Sequence, residues 1–373
     1  MTDMQKRYGI IGAGMMGREH MRNIALLDGA RVTAIAEPDT EQTGLSMDLL
    51  GAGARAYPTH REMLAAEALD AVVVAAPNHL HLPILRDLLR TELPVLCEKP
   101  LGVSDAECAE IETLQARRAA PLWVAMEYRY MPAVARLLAE VRAGTAGRVR
   151  MLTIREHRFP FLTKVGNWNR FRAQSGGTLV EKCCHFFDLM RLILDAEPVR
   201  VFASGGMDVN FLDEEYAGRR ADVLDNAYVV VDFDGGQRAM LDLCMFAEGA
   251  EWQEEISATG DRARLDARVP GPARFAPGGV ERHGEFVLSD RATRRVTREV
   301  LETDPRILRA GDHHGSTFFQ HQAFLAMVNG GSGPAVSVED GRIAVAVGAA
   351  AEESARSGQP VELSRQSKQA LRA

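Results

Sequence analysis

Cysteine is scarce in this chain. There are five, Cys97, Cys108, Cys183, Cys184 and Cys244, an odd and scattered set with two adjacent members. Such a set builds no disulfide framework and fits a reducing compartment. No C-x-x-C pair is present to found a structural zinc site. No apolar run approaches the roughly 20 residues that span a bilayer. The opening MTDMQKRYGIIGAG has no apolar leader with a small-residue cleavage site. An excess of positive charge is also missing: the formal net charge is -7, which argues against broad nucleic-acid affinity. The rest is ordinary globular composition, 46% hydrophobic and 25% charged, over a length that suits roughly two domains. The expectation is a cytoplasmic enzyme with no metal and no nucleic-acid or membrane partner.

The first half carries the clearest pattern. A short apolar run, RYGIIG, leads into Gly12-Ala13-Gly14-Met15-Met16-Gly17, and a helix-compatible REHMRNIALL follows. A G-x-G-x-x-G between a strand and a helix gives a tight turn, close backbone approach to a pyrophosphate, and a helix N-terminus aimed at the phosphates. The next strand, RVTAIAEPD, ends in Glu37, 20 residues after Gly17. An acid there hydrogen-bonds ribose hydroxyls and repels a 2′-phosphate. No Arg or Lys directly follows it, so NAD is favoured over NADP. Gly12, Gly14, Met15, Met16, Gly17 and Glu37 are the first candidate cofactor contacts.

Apolar strands at 70–77, 93–100 and 121–126 alternate with helical stretches, the signature of a doubly wound parallel sheet. Ligands bind at the carboxyl ends of such strands. Two strands end in chemically interesting residues, Pro77-Asn78-His79-Leu80-His81 and Cys97-Glu98-Lys99-Pro100. A lysine at a strand end can orient a substrate hydroxyl and stabilise an alkoxide, although a solvated lysine before a turn is the blander alternative. Pro77, Asn78, His81, Glu98 and Lys99 extend the set of candidate cofactor contacts.

Residues 176–194, GGTLVEKCCHFFDLMRLIL, read as a helix starting near Thr178 or Leu179. At about 100° per residue, Glu181, His185 and Asp188 share one face and Cys183 points nearly the opposite way, so one metal would not easily take both cysteines and the histidine. His185 titrates near neutrality and suits a proton acceptor, with Glu181 one turn back to bind hydroxyls or the imidazole. Asp188 would orient His185 or Arg191. Strands are expected at 149–157 and 227–246, the latter a hairpin turning at Gly235-Gly236; 210–225 and 260–312 resist assignment. The domain boundary is placed near residue 126, giving domains 1–126 and 127–373.

The ordered set Gly12–Gly17, Pro77-Asn78-His79, Glu98-Lys99-Pro100, Glu127-Tyr128-Arg129-Tyr130, and Gly176-Gly177 through Glu181, His185 and Asp188 resembles the glucose-fructose oxidoreductase / inositol dehydrogenase / rhizopine catabolism (Gfo/Idh/MocA) family over nearly the whole chain. The tail at 336–363 looks like that family's closing helix and strand, the helix (about 338–357) packing near the first domain. The resemblance implies a Rossmann domain followed by an α/β domain with an open, mainly antiparallel sheet. It implies NAD-dependent hydride transfer at a sugar or cyclitol carbon, with Lys99, His185 and Glu181 as catalytic candidates, and homodimers or homotetramers. The family commonly has Asp where this chain has Glu181.

Residues 155–172, REHRFPFLTKVGNWNRFR, crowd six basic side chains around Trp168 just before the His185 helix. Tyr128, Arg158, Lys164, Asn167, Trp168, Asn169, Arg170, His185 and His314 are the candidate substrate contacts. The cluster suits a sulfonate, carboxylate or phosphate on a sugar; a solvated basic loop is the alternative. Three readings stay open: a sugar dehydrogenase acting at a ring carbon such as C3; a redox-neutral, NAD-dependent glycoside hydrolase similar to sulfoquinovosidases; and a non-catalytic NAD-binding sensor.

Overall fold

The computed structural model describes residues 5–275 and 277–363. In the first domain β1 (Lys6–Ile11), β2 (Ala30–Ala36), β3 (Arg55–Tyr57), β4 (Ala71–Val74), β5 (Val95–Glu98) and β6 (Leu122–Ala125) form one parallel sheet in the order β3-β2-β1-β4-β5-β6. The direction of winding reverses between β1 and β4, which makes their carboxyl ends the crevice where such sheets bind ligands. β4, β5 and β6 are buried throughout, as expected of strands covered by helices on both faces.

The second domain is built on nine strands. They are β7 (Val149–His157), β8 (Pro198–Gly206), β11 (Asn226–Phe233), β12 (Arg238–Cys244), β13 (Glu254–Gly260), β14 (Ala263–Val269), β15 (Gly284–Asp290), β16 (Val296–Leu301) and β17 (Val361–Glu362); β9 (Glu215–Tyr216) and β10 (Arg219–Arg220) form a small separate hairpin. The order is β16-β15-β14-β13-β7-β12-β11-β8-β17. Only the β7–β12 pair is parallel; the other neighbours run antiparallel. One face packs under the helices Pro132–Arg142, Cys184–Leu194 and Val338–Ser357. The opposite face leaves Met151, Phe202, Tyr228 and Val230 exposed. Strands β14 to β16 fall in the 260–312 stretch that the sequence pattern did not resolve. The 227–246 hairpin turns where Gly236 adopts φ 75°.

The helix expected to run unbroken from Thr178 to Leu194 is two helices, Thr178–Glu181 and Cys184–Leu194, with a turn at Lys182 and Cys183. The break invalidates a single wheel through all of its side chains. It also turns Lys182 inward, leaving it 4% exposed.

The closing helix Val338–Ser357 starts with a capping box of Ser337 and Asp340 and joins the two domains. Arg342 pairs with Asp105 (2.8 Å) and Glu112 (2.6 Å) of the first domain. Glu352 accepts the Leu179 N–H at 2.9 Å, satisfying a free donor at the start of the site helix. Gly348 lies flush against that helix: a Cβ there would sit 2.5 Å from the Leu179 carbonyl oxygen. Gly44, in the helix Thr40–Leu50, faces open space. Gly348→Ala should therefore destabilise the protein by about 1–3 kcal/mol through overpacking. Gly44→Ala should instead gain about 0.5–1 kcal/mol of helix propensity. Urea unfolding of the two variants checks the opposite signs.

Candidate active site

The glycine turn at the end of β1 is shaped by three different constraints. Gly12 has φ 89°, and a Cβ on it would come within 2.6 Å of the Ala76 nitrogen beyond β4. A Cβ on Gly17 would lie 2.1 Å from the Gly12 carbonyl oxygen, so helix and turn touch. Around Gly14 there is free space. The helix Met15–Ile24 that follows has no side-chain cap and no acid in its first turn, with Met15 and Met16 opening it. Its first N–H groups are thus available to an anion. Glu37 lies beside the turn, accepting the Ala13 N–H (2.8 Å) and the Asp39 N–H (3.0 Å). An open glycine, an uncapped helix start and a carboxylate beyond it fit a dinucleotide.

At the end of β5, Glu98 and Lys99 face different ways. The Lys99 ammonium donates to the Glu181 carbonyl oxygen at 2.9 Å. Burial disfavours its charge, but Cys184, Glu181, Glu98 and Glu127 together hold its pKa above the usual lysine value. The Glu98 carboxylate instead bonds His20 at 3.0 Å, and His20 continues to His321 at 2.8 Å. The other Glu98 oxygen accepts the Lys99 N–H at 3.2 Å. His81 is engaged within the protein in the same way. It is fully buried, and its two ring nitrogens meet the backbone oxygens of Pro100 (2.8 Å) and Ala76 (3.0 Å), so it braces two loops. Asn78, following Pro77, donates to Ser175 O across the domain junction at 3.0 Å.

Lys99, Glu181, His185, Tyr128, Lys164 and Trp168 are brought together. Glu181 takes the Lys164 ammonium on one carboxylate oxygen at 3.0 Å; the other is buried without a partner. Lys164 lies 4.5 Å from the Trp168 ring centre. The His185 ring stacks on Tyr128, centroids 4.0 Å apart and planes 4° from parallel, with Nδ1 buried and unpartnered. Burial and the surrounding cations Lys99, Lys182, His313 and Arg158 hold the His185 pKa well below the usual histidine value, so the ring is neutral. Asp188 orients neither His185 nor Arg191: it takes a bidentate pair from Arg129 at 2.5 and 2.6 Å.

Four more basic side chains of residues 155–172 are already paired. Arg155 meets Glu255, His157 meets Asp242 (3.1 Å), and Arg158 reaches Glu156 (3.5 Å) and the Phe159 carbonyl oxygen (3.0 Å). Arg170 is buried and donates to Glu214 (2.9 Å) and Phe161 O (3.1 Å), while buried Asn169 donates to Leu162 O (3.0 Å). Both tie down the loop, and each keeps one buried polar atom without a partner, Asn169 Oδ1 and Arg170 Nη1. Asn167 sits at its turn with φ 52°. His314 lines a small cavity with Met131, Val269, His283 and Leu308, and its neighbour His313 faces Tyr128, at 6.3 Å between centroids. His313 bonds Glu19 at 2.7 Å and lies 3.8 Å from Glu127. Among the described residues no group of three or more His, Cys, Asp and Glu is placed to hold a metal, and no helix is long and apolar enough to cross a membrane.

Residues 6–126 match the model of an oxidoreductase family's NAD-binding Rossmann fold, and 139–363 match that family's C-terminal alpha/beta domain. The chain is 30% identical to the rhizopine catabolism protein MocA of Rhizobium meliloti over 198 residues, 52% of this chain and 58% of that protein. It is 27% identical to the myo-inositol 2-dehydrogenase of Thermotoga maritima over 96% of this chain and 98% of the relative. A crystal structure titled "probable dehydrogenase from Thermotoga maritima" superposes with a TM-score of 0.75 at 26% identity, covering 95% of this chain and 98% of the other.

Burial disfavours charge on His313, but Glu19 and Glu127 outweigh it and raise its pKa to about 9. The charged form is favoured in the fold relative to the unfolded chain, where histidine titrates near 6.5. Its stabilisation is therefore complete below about pH 6.5 and lost as pH rises through about 9. Urea midpoints across that window should fall in the wild type and fall less steeply in His313→Gln.

Proposed function

The chain belongs to the Gfo/Idh/MocA oxidoreductase family, and from that premise we propose that it oxidises a ring hydroxyl of a sugar or cyclitol, with C3 the favoured carbon of a sugar. The observation that carries this reading is a held lysine ammonium, that of Lys99 on the Glu181 carbonyl oxygen, acting on the neutral His185 ring, whose Nδ1 is buried without a partner. Lys99 holds the substrate oxygen and stabilises negative charge that develops on it. The neutral His185 ring takes the hydroxyl proton. NAD held there would supply the acceptor for the hydride from the same carbon, leaving a ketone. Gly12, Gly14, Met15, Met16, Gly17 and Glu37 would hold the nucleotide, with Pro77 and Asn78 closing the crevice. Trp168 offers a face for the sugar ring.

An anionic substituent is part of the proposal, and Lys164 is the cation nearest to hand. It would exchange Glu181 for the substrate's sulfonate, carboxylate or phosphate. A second reading is redox-neutral hydrolysis of a glycoside through transient oxidation, elimination, water addition and reduction. The unpartnered oxygen of Glu181 favours it, because this route needs a second base beside His185. A homodimer or homotetramer assembled through the open sheet face, in the cytoplasm, is the setting we propose.

Protein stripped of nucleotide, given NAD and a panel of neutral and acidic cyclitols, sugars and aryl glycosides, separates the readings. Stoichiometric NADH from a free polyol or sugar is the expected result. NAD-dependent aglycone release without NADH would replace it with the hydrolase. Lys99→Met should lower kcat/KM by about 10²–10³; unchanged turnover in that variant, or none with any member of the panel, would overturn the assignment.

A further inference from the structure

Beneath the site lies a buried ionic cluster that the proposed chemistry leaves unused. Glu156 on β7 and Glu254 on β13 are directly opposite in the antiparallel register, 0% and 1% exposed. Two carboxylates so placed repel unless cations separate them. Lys182, in the break between the two site helices, supplies one, its ammonium 2.8 Å from Glu156. Arg158 supplies the other. The same Lys182 ammonium donates a hydrogen bond to the Tyr128 hydroxyl and lies 4.6 Å from the Tyr128 ring centre. Tyr128 is the ring on which His185 stacks, and Phe186 closes its edge at 5.7 Å. The chain of contact therefore runs from Glu156 through Lys182 and Tyr128 to the His185 imidazole.

We propose that Lys182 is a positioning residue for the proton acceptor: anchored by Glu156, it fixes Tyr128 by its hydroxyl, and Tyr128 fixes the plane of the His185 ring. A lone imidazole whose Nδ1 has no protein partner is otherwise free to turn about its side-chain bonds, and a stacked ring of fixed plane supplies the missing constraint. Lys182 also adds positive charge close to His185, alongside Lys99, Arg158 and His313. Burial depresses the Lys182 pKa and Glu156 opposes that. Glu254, which burial and Glu156 push up to about 7, can take up a proton so that the cluster stays close to neutral.

The inference rests on His185 being the proton acceptor of the proposed reaction, but its first test needs no turnover. Full-length protein with NADH bound and ¹⁵N-labelled histidine would be titrated by NMR, the His185 signals identified by their loss in His185→Gln. Lys182→Met should move the His185 midpoint upward by about one unit and broaden its signals; Tyr128→Phe, which keeps the ring, should broaden them without a comparable shift. Lys182→Arg should restore the wild-type signals in large part. With a substrate in hand, Lys182→Met should lower kcat about tenfold and leave KM within about twofold. Unchanged His185 signals in folded Lys182→Met and Tyr128→Phe would overturn the inference. If Lys182→Met does not fold, Tyr128→Phe decides alone. Moved His185 signals in a protein that oxidises no sugar would support the inference and remove the proposed function.

Discussion

The bond from the Lys99 ammonium to the main-chain oxygen of Glu181 is the contact around which this site is organised. It joins the carboxyl end of β5 in the first domain to the broken helix of the second. A carbonyl is a dipole rather than a charge, so it orients the ammonium without cancelling it. The cation stays available to an incoming oxygen, and the surrounding acids keep it protonated. A carboxylate in the same place would have formed a closed ion pair, with most of the field consumed inside the protein. Because that carbonyl is held by a helix whose start is bonded by Glu352 and pressed by Gly348, the closing helix is a structural partner of the lysine even though the two do not touch.

The same economy governs the buried charge below and behind the site. Glu98 pairs with His20; His313 lies between Glu19 and Glu127; Lys182 and Arg158 face Glu156 and Glu254. An unpaired charge at these depths would cost several kcal/mol. Each set is nearly balanced, and each includes a group whose proton can adjust the balance. His185 is left as the site's neutral ring by its burial, with four cations bearing on it as well.

Much of this was legible in the residues. The glycine turn, the acid after β2, the strand-end lysine and the histidine helix carry local spacing that specific chemistry requires, and the parallel strands of the first domain are short apolar runs with clear punctuation. The interior ion pairs were not legible as pairs, because partners lie up to 294 residues apart in sequence. Their positions nonetheless left a trace. Glu156 falls in phase with Leu152 and Ile154 on the inward face of β7, and Glu254 with Ile256 and Ala258 on β13. A carboxylate on the apolar phase of a strand signals a buried partner. Which of the paired histidines faces Tyr128 was not legible either, for a different reason. Adjacent residues point in different directions, and the local turn that decides between them, with His314 at φ 49° and Gly315 at φ 80°, has no periodicity to read.

The basic segment shows why counting charges overstates a binding site. Six basic side chains in 18 residues of an acidic chain suggested a surface ready for an anion, yet Arg155, His157, Lys164 and Arg170 each meet a carboxylate supplied from elsewhere in the fold, and Arg158 meets Glu156 of the segment itself. An anion bound there would have to displace an existing pair, and the exchange is favourable only where the released carboxylate has something else to do. Glu181 meets that condition. Its second oxygen is already buried and free, and it lies on the residue whose carbonyl holds Lys99. If substrate draws Lys164 away, Glu181 becomes an unpaired acceptor beside the neutral imidazole. Recognition of charge on the substrate and activation of a second base would then be a single event, and an uncharged sugar would leave that base closed.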